Sequence, residues 1–221
     1  MALSRSDVQN LYTTGINHYK RFISLFQSPQ AIESLLKRST LLRPGMRVLD
    51  AGCGFGVATF ALVNTLQQLH FDYARIDAFD LTPAMLSRFE RALRASGVAR
   101  VSLRQADVLA LESLPPSWTN YDLIVSTSML EYLPKKDFAR ALEVLRRRLA
   151  ENGCMFVMIT RKSLETKVLI EWWWGATSYA RDELQRAFKR AGFEEVEFRH
   201  FPIRYFWLNR ANHVVEARLR S

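Results

Sequence analysis

The stretch Val48-Leu49-Asp50-Ala51-Gly52-Cys53-Gly54-Phe55-Gly56 constrains this chain more than any other: a short apolar run enters a turn with glycine at every second position. Glycine tolerates positive φ and carries no Cβ, so the backbone of such a turn can lie directly against a ligand. Beyond it, Val57, Ala58, Ala61, Leu62, Leu66 and Leu69 recur at helical spacing. The turn therefore joins a strand to a helix whose first N–H groups face the same space. A nucleotide-like ligand suits that space. The spacing differs from the G-x-G-x-x-G turn that seats a pyrophosphate on a helix N-terminus. Asp50 closes the strand, and a carboxylate there repels a pyrophosphate while accepting a cation such as an amino-acid ammonium group.

Strand and helix patterns alternate on both sides of this turn. Residues 7–39 read as helices, with Val8, Leu11, Tyr12, Tyr19, Phe22, Ile23 and Phe26 at helical intervals and Gly15 between them. Ser28-Pro29 opens a second helix through Ile32, Leu35 and Leu36. The first strand runs from Arg47 to Asp50, and the helix after the glycine turn ends near His70. A second strand, Arg75 to Phe79, leads into Asp80-Leu81-Thr82-Pro83-Ala84-Met85-Leu86. Thr82 and Pro83 are N-cap and first-turn residues of a helix buried along Leu86, Phe89 and Leu93 and stopped at Gly97. The third strand, Val101 to Ala106, ends in Asp107-Val108, and the fourth, Tyr121 to Ser126, in Thr127-Ser128-Met129-Leu130-Glu131-Tyr132. A basic helix, Asp137 to Leu149, precedes a fifth strand, Cys154 to Thr160. Another helix through Leu184, Phe188 and Ala191 stops at Gly192, and strands follow at Glu194–Phe198 and His213–Leu219. Repeated alternation of this kind gives an α/β fold: a doubly wound, mostly parallel seven-stranded sheet covered on both faces, preceded by N-terminal helices.

In such a sheet the end of the second strand lies beside the end of the first, which places Asp80 near the glycine turn. A carboxylate there can accept both hydroxyl hydrogens of a ribose. Asp77 is the alternative acid, but it falls inside the strand.

Four strand-end motifs now stand in order: Asp50-x-Gly52-x-Gly54-x-Gly56, Asp80-Leu81-Thr82-Pro83-x-Met85-Leu86, Asp107-Val108, and Ser126-Thr127-Ser128-Met129. Together they resemble the class I S-adenosylmethionine-dependent methyltransferases over residues 45–220. The resemblance implies an antiparallel last strand and S-adenosylmethionine as cofactor. It implies that Asp50, Ala51, Gly52, Cys53, Gly54 and Gly56 hold the amino-acid end. Asp80, with Leu81 and Met85, would hold the ribose, Asp107 and Val108 the adenine, and Ser126, Thr127 and Met129 the methionine part. Taken alone, Asp107 equally caps the following turn. Some quinone-pathway members carry Leu-Glu-His around a metal where this chain has Leu130-Glu131-Tyr132, so no metal is expected. The loop also lacks the Asn/Asp-Pro-Pro-Tyr/Phe sequence of adenine and glutamine-amide methylases. Glu131 is either a general base or a helix-starting acid, and Tyr132, His18, Tyr179 and His200 complete the set of possible bases.

Family members often cover the cofactor with N-terminal helices, which makes Tyr12, His18 and Tyr19 candidates for lining an acceptor pocket; aromatics at helical spacing equally fill a core. Trp173 and Tyr179 join that pocket set. Trp172-Trp173-Trp174 cannot all enter one flat core face, because consecutive helical residues point in different directions. At least one is exposed or lines a pocket, where it meets the acceptor or an amphiphile; the alternative is packing under a loop or in a dimer interface. The aromatic stretch Phe201-Pro202-Ile203-Arg204-Tyr205-Phe206-Trp207, with its arginines, closes the acceptor pocket, holds a phosphate or carboxylate, or packs on the sheet as an edge hairpin.

With 221 residues, one domain is expected, divided into a cap (1–43), a cofactor half (44–160) and an acceptor half (161–221). The N-terminus has no continuous apolar secretory segment, and no apolar run is long enough to cross a bilayer. A cytoplasmic protein with two reduced thiols, Cys53 and Cys154, is the expectation. The net charge of +9 favours an acidic partner: nucleic acid, anionic lipid, or a carboxylate- or phosphate-bearing substrate. Arg146-Arg147-Arg148 reads as a solvated helix end. The function expected is methyl transfer to a small-molecule or lipid-like acceptor. An RNA acceptor, a nicotinamide dehydrogenase and a non-catalytic partner protein are its competitors.

Overall fold

Seven strands form one sheet in the order β3-β2-β1-β4-β5-β7-β6 in the computed structural model, which describes residues 29–162 and 177–219. The strands are β1 (Met46–Ala51), β2 (Tyr73–Asp80), β3 (Val101–Gln105), β4 (Tyr121–Thr127), β5 (Leu149–Thr160), β6 (Glu195–Arg199) and β7 (Asn212–Arg218). The first five are mutually parallel, and β7 inserts antiparallel between β5 and β6. The helices are α1 (Pro29–Leu36), α2 (Val57–Gln68), α3 (Pro83–Ser96), α4 (Lys135–Arg146), α5 (Arg181–Arg190) and the short α6 (Leu208–Ala211).

Both faces of the sheet are buried at its centre, which is why β1, β4 and β5 read as continuous apolar runs. Side chains alternate between the faces. Val48, Ile76, Leu123, Val125 and Phe156 meet Ile32 and Leu36 of α1 and Leu62 and Leu66 of α2. Leu49, Phe79, Ile124, Met155 and Val157 meet Phe138 and Leu142 of α4 and Leu184 and Phe188 of α5. The chain winds outward from β1 to β3 and then returns to place β4 on the other side of β1. That reversal opens a crevice at the carboxyl ends of β1 and β4, where ligands of open α/β sheets bind.

Two boundaries differ from the sequence expectation. The basic helix ends at Arg146, and Leu149 begins β5 opposite Tyr121 instead of ending the helix. The cause is Arg148: its carbonyl accepts the Tyr121 N–H at 3.0 Å, and its guanidinium donates to the Trp118 carbonyl at 3.1 Å and the Leu111 carbonyl at 2.7 Å. Only Arg146 and Arg147 of the triple are solvated. The second difference lies between β6 and β7. They are an antiparallel edge pair, but the connection is a 3₁₀ turn (Ile203–Tyr205) followed by α6, with only part of its aromatic content packed on the sheet. Phe201 and Leu208 are buried, whereas Ile203, Phe206 and Trp207 are exposed.

The turn after β1 reaches α2 through Gly56 at φ +95°. A Cβ added there would lie 2.2 Å from Cε2 of Phe89, the fully buried aromatic of α3. Gly56→Ala is therefore expected to cost about 3 kcal/mol, from left-handed backbone strain and overpacking together. Phe89→Ala costs a similar ~3–5 kcal/mol by leaving a cavity. The double variant should lose less than the sum, because the truncated ring no longer opposes the new methyl. Urea unfolding midpoints of the four proteins measure this; strict additivity would show that the contact does not set the turn.

Candidate active site

The glycine turn is tied to β2 before any ligand is considered. The N–H groups of Gly52 and Cys53 both donate to the Phe79 carbonyl, at 2.9 and 3.0 Å. Asp80, the last residue of β2, then accepts the Gly54 N–H on Oδ2 and the Thr82 N–H on Oδ1, each at 2.8 Å. One carboxylate thus holds the turn and the start of α3 together, as its strand-end position predicts. Burial raises its pKa, against the lowering effect of the Thr82 and Gly54 hydrogen bonds.

The loop after β4 closes the other side. Ser128 adopts φ +53° and donates its N–H to the Met158 carbonyl at 2.9 Å. Met129 follows and lies against Gly52, where an added Cβ would be 2.2 Å from Met129 Cγ. At Gly54, by contrast, a Cβ would meet nothing within 4 Å. The turn is therefore packed on Met129 and Phe89 and open at its middle.

Asp50, the penultimate residue of β1, leads into this turn and is 2% exposed. Its Oδ2 accepts the Thr59 hydroxyl at 2.6 Å, while its Oδ1 is buried without a hydrogen-bond partner. Burial pushes its pKa up to about 7, opposed by the Thr59 hydrogen bond and reinforced by the negative charge of Asp80. Beside it on β4, Ser126 carries a second buried oxygen without a partner. Cys53 and Cys154 are free, buried thiols; burial raises the first well above its usual range and the second to about 11. Asp77 serves elsewhere: it accepts the Tyr121 phenol at 2.7 Å and pairs with Arg75.

The remaining cofactor candidates lie along the same rim. Ala106 donates its N–H to the Asp80 carbonyl at 3.1 Å, which brings the end of β3 alongside. Asp107 Oδ1 accepts the Leu109 N–H at 2.8 Å, so the side chain does cap the next turn, and Val108 is buried. Ala51 and Met85 are buried, and Leu81, Thr127 and Met129 half-buried.

A second cluster forms at the end of β5. Both oxygens of Glu131 are engaged by Thr160, Oε2 by the backbone N–H at 3.0 Å and Oε1 by the hydroxyl at 2.9 Å. The Glu131 carbonyl accepts the Thr177 N–H at 2.7 Å, and the Tyr179 N–H donates to the Thr160 carbonyl at 3.1 Å. Burial pushes the Glu131 carboxyl up to about 7. Tyr179 stacks on Phe138 at 4.6 Å with its hydroxyl buried and without a partner, and burial drives its pKa upward. Tyr132 is half-buried on the same turn, whereas His200 is exposed beyond β6. Tyr12, His18, Tyr19 and Trp173 lie outside the described residues. Thr59 and Thr160 are the functional neighbours that sequence reasoning missed. Thr59 had a signal, a hydroxyl on the buried stripe of α2; Thr160 had none beyond its place at a strand end.

A family model described as a methyltransferase domain matches residues 48–153. The chain is 31% identical over 109 residues to malonyl-[acyl-carrier protein] O-methyltransferase of Paenibacillus sp. (strain JDR-2), covering 49% of this chain and 37% of that protein. The protein of the same name from Geobacter sulfurreducens is 28% identical over 210 residues, with 88% of this chain and 73% of that one covered. A carboxy-S-adenosyl-L-methionine synthase of Psychrobacter sp. (strain PRwf-1) is 28% identical, and the chain spans 40% of it. Several of these relatives are thus much longer than the part this chain matches. Among solved structures, the magnesium protoporphyrin IX methyltransferase of Synechocystis PCC 6803 with bound SAH superposes with a TM-score of 0.71 at 17% identity, covering 98% of this chain and 100% of that one. Phosphoethanolamine N-methyltransferase 2 of Haemonchus contortus gives 0.73 at 18% identity, over 99% of this chain and 61% of the other. The acid-glycine turn, the acid closing β2 and the β3-β2-β1-β4-β5-β7-β6 sheet agree with these matches: residues 48–153 match a methyltransferase-domain family, and the chain has the fold of the class I S-adenosylmethionine-dependent methyltransferases.

Proposed function

We propose that this chain binds S-adenosylmethionine at the carboxyl ends of β1, β2 and β4 and moves its methyl group to a small-molecule or lipid-like acceptor. The observation that carries this reading is Asp50: a buried carboxylate with one unpartnered oxygen, at the strand end that leads into a turn whose middle glycine faces open space. Buried polar atoms are almost always satisfied, so an orphaned carboxylate oxygen fits a ligand that brings a donor and a positive charge. The ammonium of an amino-acid moiety brings both. Asp80 is fixed by two backbone N–H groups and keeps lone pairs for the hydroxyls of a ribose. Asp107 and Val108 would hold the adenine. The paired acids Asp50 and Asp80 repel a pyrophosphate, which disfavours a nicotinamide dinucleotide.

When bound, S-adenosylmethionine supplies a methyl group already activated by its sulfonium. The protein's part is then to align the acceptor with that methyl group and to exclude water. Glu131 and Thr160 hold the β4 loop, and with it Met129, against the end of β5. We assign Glu131 to that positioning: both of its oxygens are taken, and an acceptor with an available lone pair needs no base. The malonyl thioester on an acyl carrier protein, named in several relatives, has an ionised carboxylate of this kind and is the first acceptor to assay.

Calorimetric titration with S-adenosylmethionine and S-adenosylhomocysteine should show binding of both and none of NAD. Asp80→Ala should weaken binding at least tenfold, since hydrogen bonds involving a charged group contribute about 1.5–3 kcal/mol. Folded wild-type protein that binds neither compound would sink the reading and leave a partner-binding role.

The raised pKa of Asp50 predicts the pH dependence. Its carboxylate must ionise to meet a cation, so cofactor affinity should rise with pH up to about 7 and level off above. Below that, affinity falls by up to tenfold per pH unit, and binding, which draws the Asp50 carboxyl into its ionised form, releases up to one proton to solvent. Stability of the ligand-free protein runs the other way. The unfolded carboxyls of Asp50 and Glu131 lose their protons near 3.8 and 4.5 and the folded ones near 7, so the unfolded chain binds fewer protons between those values. Stability is lost as pH rises from about 4 to 7 on account of these two groups. Asp50→Asn should bind weakly with a flat profile; an unchanged slope in that variant would show that another group titrates.

A further inference from the structure

The exposed large hydrophobic side chains among the described residues fall within five positions: Ile203 is 87% exposed, Phe206 54% and Trp207 45%. They sit on the connection between β6 and β7, and that connection is firmly held. Phe201 and Leu208 anchor it in the core. The Asn209 side chain accepts the Phe201 N–H at 2.8 Å, and Arg161 donates to the Asn209 carbonyl at 2.9 Å and the Ala211 carbonyl at 2.8 Å. Phe206 and Trp207 meet edge to face with ring centroids 5.9 Å apart. A folded, braced connection thus presents its apolar side chains outward, where each costs hydration free energy in water.

Charge along the connection has one sign. No Asp or Glu occurs between Glu197 and Glu216, while Arg204 and Arg210 lie on the connection itself and Arg161 and Lys162 beside it. Arg204 lies 4.7 Å above the Tyr205 ring, Arg210 is exposed, and neither has a carboxylate partner among the described residues. The location is also specific. Asn212 opens β7 opposite Thr160 at the carboxyl end of β5, so the connection lies on the same edge of the sheet as the candidate active site.

We propose that the 200–211 connection is a docking surface for an anionic lipid bilayer. Tryptophan and phenylalanine enter the boundary between headgroups and acyl chains, Ile203 reaches furthest, and the flanking arginines meet lipid phosphates. Single-stranded RNA fits less well, because it takes up cations in a groove and stacks bases on exposed rings; the most exposed residue here is aliphatic. No helix among the described residues is long and apolar enough to cross a membrane. Docking is independent of which acceptor is methylated.

The test is flotation of the full chain with vesicles of phosphatidylcholine alone or mixed with equal phosphatidylglycerol. The mixed vesicles should carry the protein, and pure phosphatidylcholine should do so at least tenfold less well. Ile203→Asp with Trp207→Asp should lose roughly tenfold or more in partitioning, and Arg204→Glu with Arg210→Glu should lose a similar factor together with most of the salt dependence. Cofactor binding and unfolding midpoint, unchanged in both variants, show that the fold is intact. Wild type that stays with the buffer, or variants that float as wild type does, overturns the proposal. Sedimentation showing that Ile203→Asp dissociates a dimer while vesicle binding persists assigns the surface to a second copy instead. Binding of a uridine oligomer lost with the same variants, without vesicle binding, assigns it to nucleic acid.

Discussion

Two missing Cβ atoms hold the centre of this molecule together. Gly52 lets Met129 of the β4 loop close against the β1 turn, and Gly56 admits the ring of Phe89 from α3. Any other residue at either position would place carbon about 2 Å from carbon, so the three segments would have to separate. Their separation would remove the crevice. The tight approach also explains why the middle of the turn is open: with both flanks packed, Gly54 is the part of the turn left facing free space. What begins as a steric requirement of strand-to-helix passage ends as an opening in the turn that follows Asp50.

Burying carboxylates is costly unless each is compensated, and the protein compensates its buried acids differently. Asp77 leaves one oxygen without a hydrogen bond, but its charge faces Arg75 and its other oxygen receives the Tyr121 phenol. Glu131 has no cation, yet Thr160 satisfies both of its oxygens. Asp50 has neither a cation nor a second donor, and the neighbouring Asp80 adds repulsion. The uncompensated group is the one that leads into the glycine turn. A protein that keeps such a group at its sheet's switch point retains a standing electrostatic cost, and a cationic ligand removes it.

The strand-end acids were legible because topology alone brings them together. Once five strand-helix alternations define a parallel sheet, the residues after β1, β2, β3 and β4 must share one rim, whatever the details of packing. Asp50, Asp80 and Asp107 are found there. The partners that tune them were not legible. Thr59 is nine residues from Asp50 and Thr160 twenty-nine from Glu131, so their contacts depend on how α2 and β5 settle against their neighbours. Leu149 was misplaced for a related reason: its apolar spacing continues the helix, and only the tertiary hydrogen bonds of Arg148 turn the chain into strand first.

The aromatic connection illustrates the opposite limit. Its composition suggested burial, yet only its anchors Phe201 and Leu208 are buried, because a connection of this length has two attachment points and one surface to lie on. The antiparallel insertion of β7 decides which surface. A parallel last strand would begin at the amino ends of its neighbours, carrying the connection to the far edge of the sheet. Running antiparallel, β7 must begin at the carboxyl end of β5, and the chain leading into it is delivered to the rim where the candidate active site lies. The topology that creates the crevice therefore also places an exposed, cation-flanked apolar surface beside it.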